Sequence, residues 1–230
     1  CNAGFALFDS SMIRYNESVG VYAVMAPLII LGGLGFGVLY NTSHVISDRI
    51  SRLFRRRLSP AARLSPGIPK RLQLQTKIVL SMTVILIAVG TGLLMLFEYF
   101  SPQAVQFDSF WTALFQSITA RTAGFNTVEI SALSEGSKMV LIMLMFIGGS
   151  SGSTAGGIKT TTLAIIIMVV YATMRKRREV ELFRRSVPMV VAGRAITVLL
   201  LFTILLVVIT GSLVLTERDN FGNAGAKWTL

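Results

Sequence analysis

The tripeptide Ala-Gly-Phe occurs twice, at residues 3–5 and 123–125, and polar residues (Asn2, Thr122 and Asn126) flank the two copies. Glycine adopts backbone dihedrals that can turn neighbouring carbonyl groups to one side. Carbonyl oxygens held in this way can replace the hydration shell of a cation. A simple glycine turn is the alternative at each copy. With one cysteine and one histidine in the chain, a metal site built from side chains is a poorer candidate.

A second motif, at residues 148–157, consists of glycines, small hydroxyl residues and one alanine, and Lys159 follows it. The motif partly matches a phosphate-binding loop, but that pattern needs glycine directly before the lysine. Ile158 stands there instead, and an apolar segment precedes the motif. A nucleotide-binding function is therefore disfavoured.

The composition indicates a membrane protein. Hydrophobic residues make up 53% of the 230 residues and charged residues 14%, whereas soluble domains carry roughly 25% charge. The mean hydropathy is +0.67. These values exclude a disordered chain and a coiled coil, and they make an ordinary soluble domain a poor interpretation.

Four segments are predicted to cross the bilayer. Three are uncharged and about 20 residues long, the length that a bilayer core requires: residues 19–40, 78–97 and 195–215. The fourth, 139–174, is interrupted by the glycine-rich motif, and such interruptions are tolerated only where the backbone lines a cavity or is buried in protein. A lysine at the bilayer centre costs about 2.5–3.5 kcal/mol. Lys159 must therefore face water or protein, or reach the cytoplasmic interface.

A short amphipathic helix is predicted between the second and third crossings, over residues 109–120, with Asp108 or Ser109 as its N-cap. It is long enough for about half a bilayer. One interpretation is a helix on the outer surface. The other is a re-entrant pore helix, whose C-terminal end would direct a negative dipole toward the membrane interior. The Ala-Gly-Phe repeat favours the second.

Positive charge is concentrated in two segments. Nine of the 22 Lys and Arg residues lie at 48–77 and seven at 175–194. The positive-inside rule places both segments in the cytoplasm. The net charge of +11 is thereby explained as a topology signal, and no nucleic-acid partner is expected. Arg121, next to the second Ala-Gly-Phe, is interpreted as an external anchor or a partner of Glu129.

The sequences TAGFN at 122–126 and GGSSGSTAGGIKTTT at 148–162 closely resemble the Trk/Ktr/HKT superfamily of cation transporters, with the Ktr-type membrane subunit (KtrB-like) nearest. The resemblance implies an all-α membrane protein of a potassium-channel-like fold, with four span–pore loop–span repeats around one pore. The chain lacks an initiating Met, and an internal fragment with about half of that fold is expected. Its predicted segments are residues 1–40 (filter and second span of repeat two), 41–77 (basic cytoplasmic loop), 78–174 (complete repeat three), 175–194 (basic cytoplasmic loop) and 195–230 (first span of repeat four and an external tail).

The resemblance also implies the site residues. Two quarters of a potassium-selective filter are expected from the carbonyl groups of Cys1, Asn2, Ala3, Gly4, Thr122, Ala123, Gly124 and Phe125. An intramembrane gate is expected beneath it, formed by Gly148, Gly149, Ser150, Ser151, Gly152, Ser153, Thr154, Ala155, Gly156, Gly157 and Lys159. Potassium is the expected cargo, sodium is the candidate coupling ion, and no covalent cofactor is expected. Channel-like conduction and symport both stay open.

The implied setting is the plasma (inner) membrane, with membrane lipid around a homodimer. The implied partner is a cytosolic ring of nucleotide-binding regulatory subunits of the KtrA/TrkA kind. An enzyme is not expected, because Asp108, Glu98 and His44 fall in separate segments. The alternative function is a non-conducting membrane scaffold or receptor, with surface helices in place of pore loops.

Overall fold

The computed structural model describes residues 4–8, 11–16, 18–58, 72–101, 109–121, 123–176, 180–182, 185–187 and 189–216. Within these residues the chain forms α1 (Val19–Leu34), α2 (Phe36–Leu58), α3 (Leu74–Tyr99), α4 (Phe110–Ala120), α5 (Glu135–Phe146), α6 (Thr160–Met174), β1 (Val180–Leu182), β2 (Arg185–Val187) and α7 (Met189–Thr216). Two single 3-10 turns lie at Ile13–Tyr15 and Ile130–Ala132. The chain divides into two compact units, Cys1–Ala164 and Ile165–Leu230.

Helices dominate the described residues, with one small exception. β1 and β2 pair antiparallel, with Val180 opposite Val187 and Leu182 opposite Arg185. This hairpin lies within residues 175–194, which were expected to form a basic cytoplasmic loop. Strands of three residues need few paired groups, and no periodic signal of that length can be read from a sequence.

Two described helices, α3 and α7, are long and apolar enough to cross a membrane. They contain the predicted spans at 78–97 and 195–215. α5 and α6 have 12 and 15 residues, so each is shorter than a bilayer-spanning helix. Residues 147–159 between them are not helical, so the interruption predicted in segment 139–174 is present in the fold.

The first predicted span, residues 19–40, is not one continuous helix. It consists of two helices, because α1 ends at Leu34 and α2 begins at Phe36, and their axes differ by 107°. Gly35 between them has a φ of +79°, in the left-handed region that favours glycine. Hydropathy does not detect this break, since Gly35 is as uncharged as its neighbours. α2 therefore continues without a break across the predicted boundary between segments 1–40 and 41–77.

α4 lies at the centre of the first unit and packs against α1, α3 and α5. Ser109 is its N-cap, and its Oγ accepts a hydrogen bond from the Thr112 amide (3.4 Å). Toward α1, Phe115 and Ile118 pack in a cluster with Tyr22 and Ile29. Toward α3 and α5, Ala120 packs in a second apolar cluster. Most of α4 is thus enclosed by longer helices.

The C-terminal end of α4 contacts the middle of α3. The Ser117 hydroxyl donates to the Ile87 carbonyl (3.2 Å), and Ile87 lies near the midpoint of the 26-residue helix. The helices approach each other so closely here that a Cβ at Gly90 would collide with Ser117 Oγ. The packing therefore sets the depth of α4 relative to a helix that can span the membrane.

Candidate functional site

Three consecutive backbone amides after α4 bond to one residue, Thr119. The amides of Ala123 and Gly124 donate to its carbonyl (2.9 and 3.1 Å), and the amide of Phe125 donates to its Oγ1 (2.8 Å). In a trans peptide the carbonyl points opposite to the amide hydrogen of the next residue. The carbonyl groups of Ala123 and Gly124 therefore point away from Thr119. We call residues 123–126 the α4 loop.

Gly4 of the first Ala-Gly-Phe copy lies against Ala123 of the second. Gly4 and Gly124 have φ values of +67° and +80°, so the same position of each copy has the same left-handed conformation. A Cβ at Gly4 would collide with the carbonyl oxygen of Ala123, whereas a Cβ at Gly124 would have nothing within 4 Å. Glycine is needed at Gly4 for close approach and at Gly124 for its backbone conformation.

Four of the eight predicted filter residues (Cys1, Asn2, Ala3 and Thr122) lie outside the described residues. Their participation in a carbonyl ring stays a prediction. The structure brings together three of the other four, Gly4, Ala123 and Gly124, through the contacts above. Phe125, the fourth, is joined to Thr119 through its amide.

Polar contacts also connect the chain that follows the two copies. The Asn126 amide donates to Ser11 Oγ (3.1 Å), and the Asn126 carbonyl accepts from the Met12 amide (2.9 Å). Asn16 Oδ1 accepts from Thr112 Oγ1 at the start of α4 (3.1 Å). The sequence identified Asn126 only as a polar residue beside the second copy and gave no sign of Ser11 or Asn16, because contacts across more than 90 residues leave no local pattern.

Residues 147–159, here called the glycine loop, are closed at their base by a short parallel bridge between Ile147 and Ile158. The Gly148 amide donates to the Ile158 carbonyl (3.0 Å), and the Ile158 amide donates to the Phe146 carbonyl (3.0 Å). A Cβ at Gly148 would collide with the carbonyl oxygen of Gly156, whereas a Cβ at Gly156 would have nothing within 4 Å. The two ends of the loop can meet only because residue 148 is glycine.

The glycine loop docks on the break between α1 and α2. The Ser150 amide donates to the Gly33 carbonyl (2.9 Å), and the Phe36 amide donates to the Gly152 carbonyl (3.3 Å). The Ser150 hydroxyl donates to the Leu34 carbonyl. A break leaves helix-terminal carbonyl groups without intrahelical partners, and the loop supplies donors for them. No sequence signal connected the two segments, since each is only a cluster of glycines in an apolar run.

Lys159 is turned onto its own loop. Its Nζ donates to the Ala155 carbonyl (2.7 Å), and the side chain is half-buried. The sequence left two expectations, a role in the cation path and an extension to the cytoplasmic interface. In this conformation the amine stays within the glycine loop.

The structure corrects the interpretation of Arg121. The residue was interpreted as an external anchor or as a partner of Glu129, but the side chain is 6% exposed. Its Nη1 donates to the Thr83 carbonyl on α3 (3.3 Å), whereas Glu129 Oε1 accepts from Ser131 Oγ (2.7 Å). A charged side chain is usually assigned to solvent, and that assumption produced the error.

Two of the three residues considered for an enzyme are described, and each contacts a different part of the fold. Glu98 Oε1 accepts from the Ser134 amide (3.1 Å) and its hydroxyl (3.0 Å), at the start of α5. The His44 ring packs on Tyr40 of α2. Asp108 lies outside the described residues.

Replacing Thr119 tests the support of the α4 loop. We expect Thr119→Val to lower the free energy of unfolding by about 1–3 kcal/mol, because the Phe125 amide loses its acceptor. Thr119→Ser retains the hydroxyl and should lie close to wild type. Thermal unfolding of the purified protein in detergent measures the difference. Equal stability of the Val and Ser variants would contradict the role of Thr119 Oγ1.

Comparisons with known proteins match the chain over nearly all of its length. A family profile described as TrkH: Cation transport protein matches residues 1–221. Ktr system potassium uptake protein B from Bacillus subtilis (strain 168) is 33% identical over 226 residues, which are 96% of this chain and 46% of that protein. The protein of the same name from Vibrio alginolyticus is 33% identical over 224 residues, 96% of this chain and 45% of that protein. This chain spans about half the length of these relatives.

The fold also matches a solved structure. The crystal structure of the potassium transporter TrkH from Vibrio parahaemolyticus aligns with a TM-score of 0.64 and 20% sequence identity, covering 93% of this chain and 42% of that chain. This likeness bears on the fold alone, and it confirms the all-α membrane fold expected from the sequence. Because the family profile covers nearly the whole chain and the 33% identity extends over 96% of it, this chain belongs to the TrkH family of cation transport proteins.

Proposed function

We propose that this chain forms part of a pore for transmembrane potassium uptake, in the membrane subunit of a Ktr/Trk-type system. The observation that carries the proposal is the bonding of three consecutive amides to Thr119. It turns the Ala123 and Gly124 carbonyls away from α4, which frees them to coordinate a cation. The two relatives reported above are named as potassium uptake proteins.

The depth of α4 supports a re-entrant pore helix rather than a surface helix. A helix on the outer surface would contact only the outer end of α3, yet Ser117 and Arg121 bond to Ile87 and Thr83 in its middle half. The C-terminal end of a helix carries a partial negative charge. At this depth, that end would offset part of the cost of removing a cation from water.

The proposed selectivity filter comprises the carbonyl groups of the two Ala-Gly-Phe copies and the residues before them. Its members in this chain are Cys1, Asn2, Ala3, Gly4, Thr122, Ala123, Gly124 and Phe125. The contact between Gly4 and Ala123 supports this set, because segments that share one ion path must lie side by side. The shared left-handed conformation of Gly4 and Gly124 supports it as well.

The glycine loop is the proposed intramembrane gate. Its hydrogen bonds reach the backbone of Gly33 and Phe36, on both sides of the break between α1 and α2. Few side-chain atoms need to move for the loop to leave this position, since most of its residues are glycine or small hydroxyl residues. In the docked conformation the loop would obstruct the path of a cation, with Lys159 held by Ala155.

For the whole protein we propose a homodimer in the plasma membrane, with the basic segments 48–77 and 175–194 in the cytoplasm. These segments would contact anionic lipid or a cytosolic ring of nucleotide-binding regulatory subunits. Potassium is the proposed cargo, and sodium the proposed coupling ion.

Uptake by whole cells tests the proposal. The complete gene product containing these residues would be expressed in bacteria that lack their own potassium uptake systems, with and without the regulatory subunit of the same genome. We expect growth at low potassium and uptake of rubidium as a potassium substitute, both compared with an empty vector. External sodium would be varied to test coupling. Membrane-inserted protein that supports no uptake, even with its regulatory subunit, would contradict the proposal and favour a scaffold.

A further inference from the structure

Arg121 is a buried cation at the C-terminal end of α4. Its side chain is 6% exposed, and the residue is the C-cap of that helix. Nη1 donates to the Thr83 carbonyl (3.3 Å), while Nε has no hydrogen-bond partner among the described residues. Within the part of the chain that the structure describes, no salt bridge includes Arg121. Among these residues, the guanidinium charge is therefore compensated by a backbone carbonyl and not by an acidic side chain.

A charge in this position is costly, and its presence calls for a role. Thr83 lies about 5 Å from the midpoint of α3, at 1.5 Å per residue, so the guanidinium lies near the middle of a helix that can span the membrane. Ionisable residues at such depth are rare and usually have a function. A neutral side chain would fill the same space without the cost of removing a charge from water.

The position of the charge suggests which property it controls. The C-terminal end of α4 and the carbonyl groups of the α4 loop all attract a cation. Conduction requires that an ion bind well enough to enter and weakly enough to leave. A fixed positive charge at the same helix end opposes that attraction. Because the guanidinium is turned toward α3 and bonded to Thr83, it can act on the ion through its field without contacting it.

We propose that Arg121 is a positioning residue whose buried charge weakens potassium binding in the filter and so permits fast release. The proposal rests on the proposed function. The side chain then has two separable roles. The hydrogen bond to the Thr83 carbonyl needs only a donor, whereas the electrostatic effect on bound potassium needs a positive charge.

Replacing Arg121 separates the two roles. Arg121→Gln removes the charge, and Arg121→Lys retains it. We expect Arg121→Gln to lower the potassium concentration for half-maximal uptake by roughly two- to thirty-fold, the range for a charge near a helix end, and to lower the maximal rate as well. Arg121→Lys should restore both toward wild type. Lys138→Gln is the matched control, since it removes a charge from the surface pair with Glu135 and should change neither value.

The measurement is potassium uptake as a function of concentration by the complete gene product in uptake-deficient cells, with membrane abundance determined for each variant. A half-saturating concentration that is unchanged or raised in Arg121→Gln would overturn the proposal. So would equal losses of rate in the Gln and Lys variants, because that pattern reports a structural role. If Arg121→Gln is absent from the membrane, Arg121→Met is measured, and its absence too would assign the charge to folding and overturn the proposal. Wild type without uptake would instead reject the proposed function itself.

Discussion

Gly124→Asp is expected to abolish potassium uptake while the protein remains in the membrane at wild-type abundance. The space beyond the Cα of Gly124 is open, so the carboxylate is not excluded by packing. It would instead place a full negative charge beside the carbonyl groups of Ala123 and Gly124. A cation bound there would be held too tightly to leave, because conduction depends on weak binding. Uptake of rubidium at matched abundance measures the loss.

A matched pair of alanine variants separates backbone conformation from bulk. Neither Gly124 nor Gly92 has an atom within 4 Å of an added Cβ, but only Gly124 has a positive φ. An L-residue in the left-handed region costs about 1–2 kcal/mol, so Gly124→Ala should reduce uptake by roughly 5- to 30-fold. Gly92→Ala, within α3, should transport like wild type. Normal uptake by Gly124→Asp, or equal effects of the two alanines, would contradict the filter assignment.

Gly148→Ala is expected to raise potassium uptake in cells that lack the regulatory subunit. Its methyl group would collide with the Gly156 carbonyl oxygen and approach the Gly156 carbonyl carbon to 2.6 Å, so the base of the glycine loop must open. If the loop loses about 1–3 kcal/mol of hydrogen-bond energy, its undocked population increases roughly 5- to 150-fold. Initial rates of rubidium uptake without the regulatory subunit measure this change.

Gly156→Ala is the control for the same loop. An added Cβ there meets nothing within 4 Å, and the residue has no positive φ, so uptake should equal that of wild type. A lower rate in Gly148→Ala at equal abundance would contradict the proposal that the docked loop obstructs the path. Identical rates in the two variants would contradict the importance of the closed base.

The sequence predicted the parts of the fold that depend on local composition. The hydropathy of residues 78–97 and 195–215 located α3 and α7, because a long apolar helix needs no tertiary information. The start of α4 followed from two candidate capping residues, Asp108 and Ser109, and the apolar spacing after them, and the structure has Ser109 as the cap. The glycine-rich motif located the interruption between α5 and α6. In each case the signal lies within one short segment.

The parts that the sequence missed depend on contacts between distant segments. Gly35 breaks the first apolar run because the glycine loop, more than 100 residues later, provides donors to the end of α1. Thr119 holds the α4 loop through a geometry that only the folded chain defines. Arg121 was assigned to the surface because its burial depends on α3. A hydrophobic pattern in the sequence indicates only that a segment tends to be buried. The conformation and burial of these three residues depend instead on particular contacts with distant segments.

If potassium crosses the membrane through a carbonyl-lined path supported by Thr119, the purified complete gene product should carry it without other proteins. Potassium flux into liposomes that contain only this protein tests the path, with sodium flux and Gly124→Asp liposomes measured in parallel. We expect potassium entry in wild type, slower sodium entry, and no potassium entry above empty liposomes in Gly124→Asp. Equal potassium entry in wild type and Gly124→Asp would contradict the carbonyl-lined path.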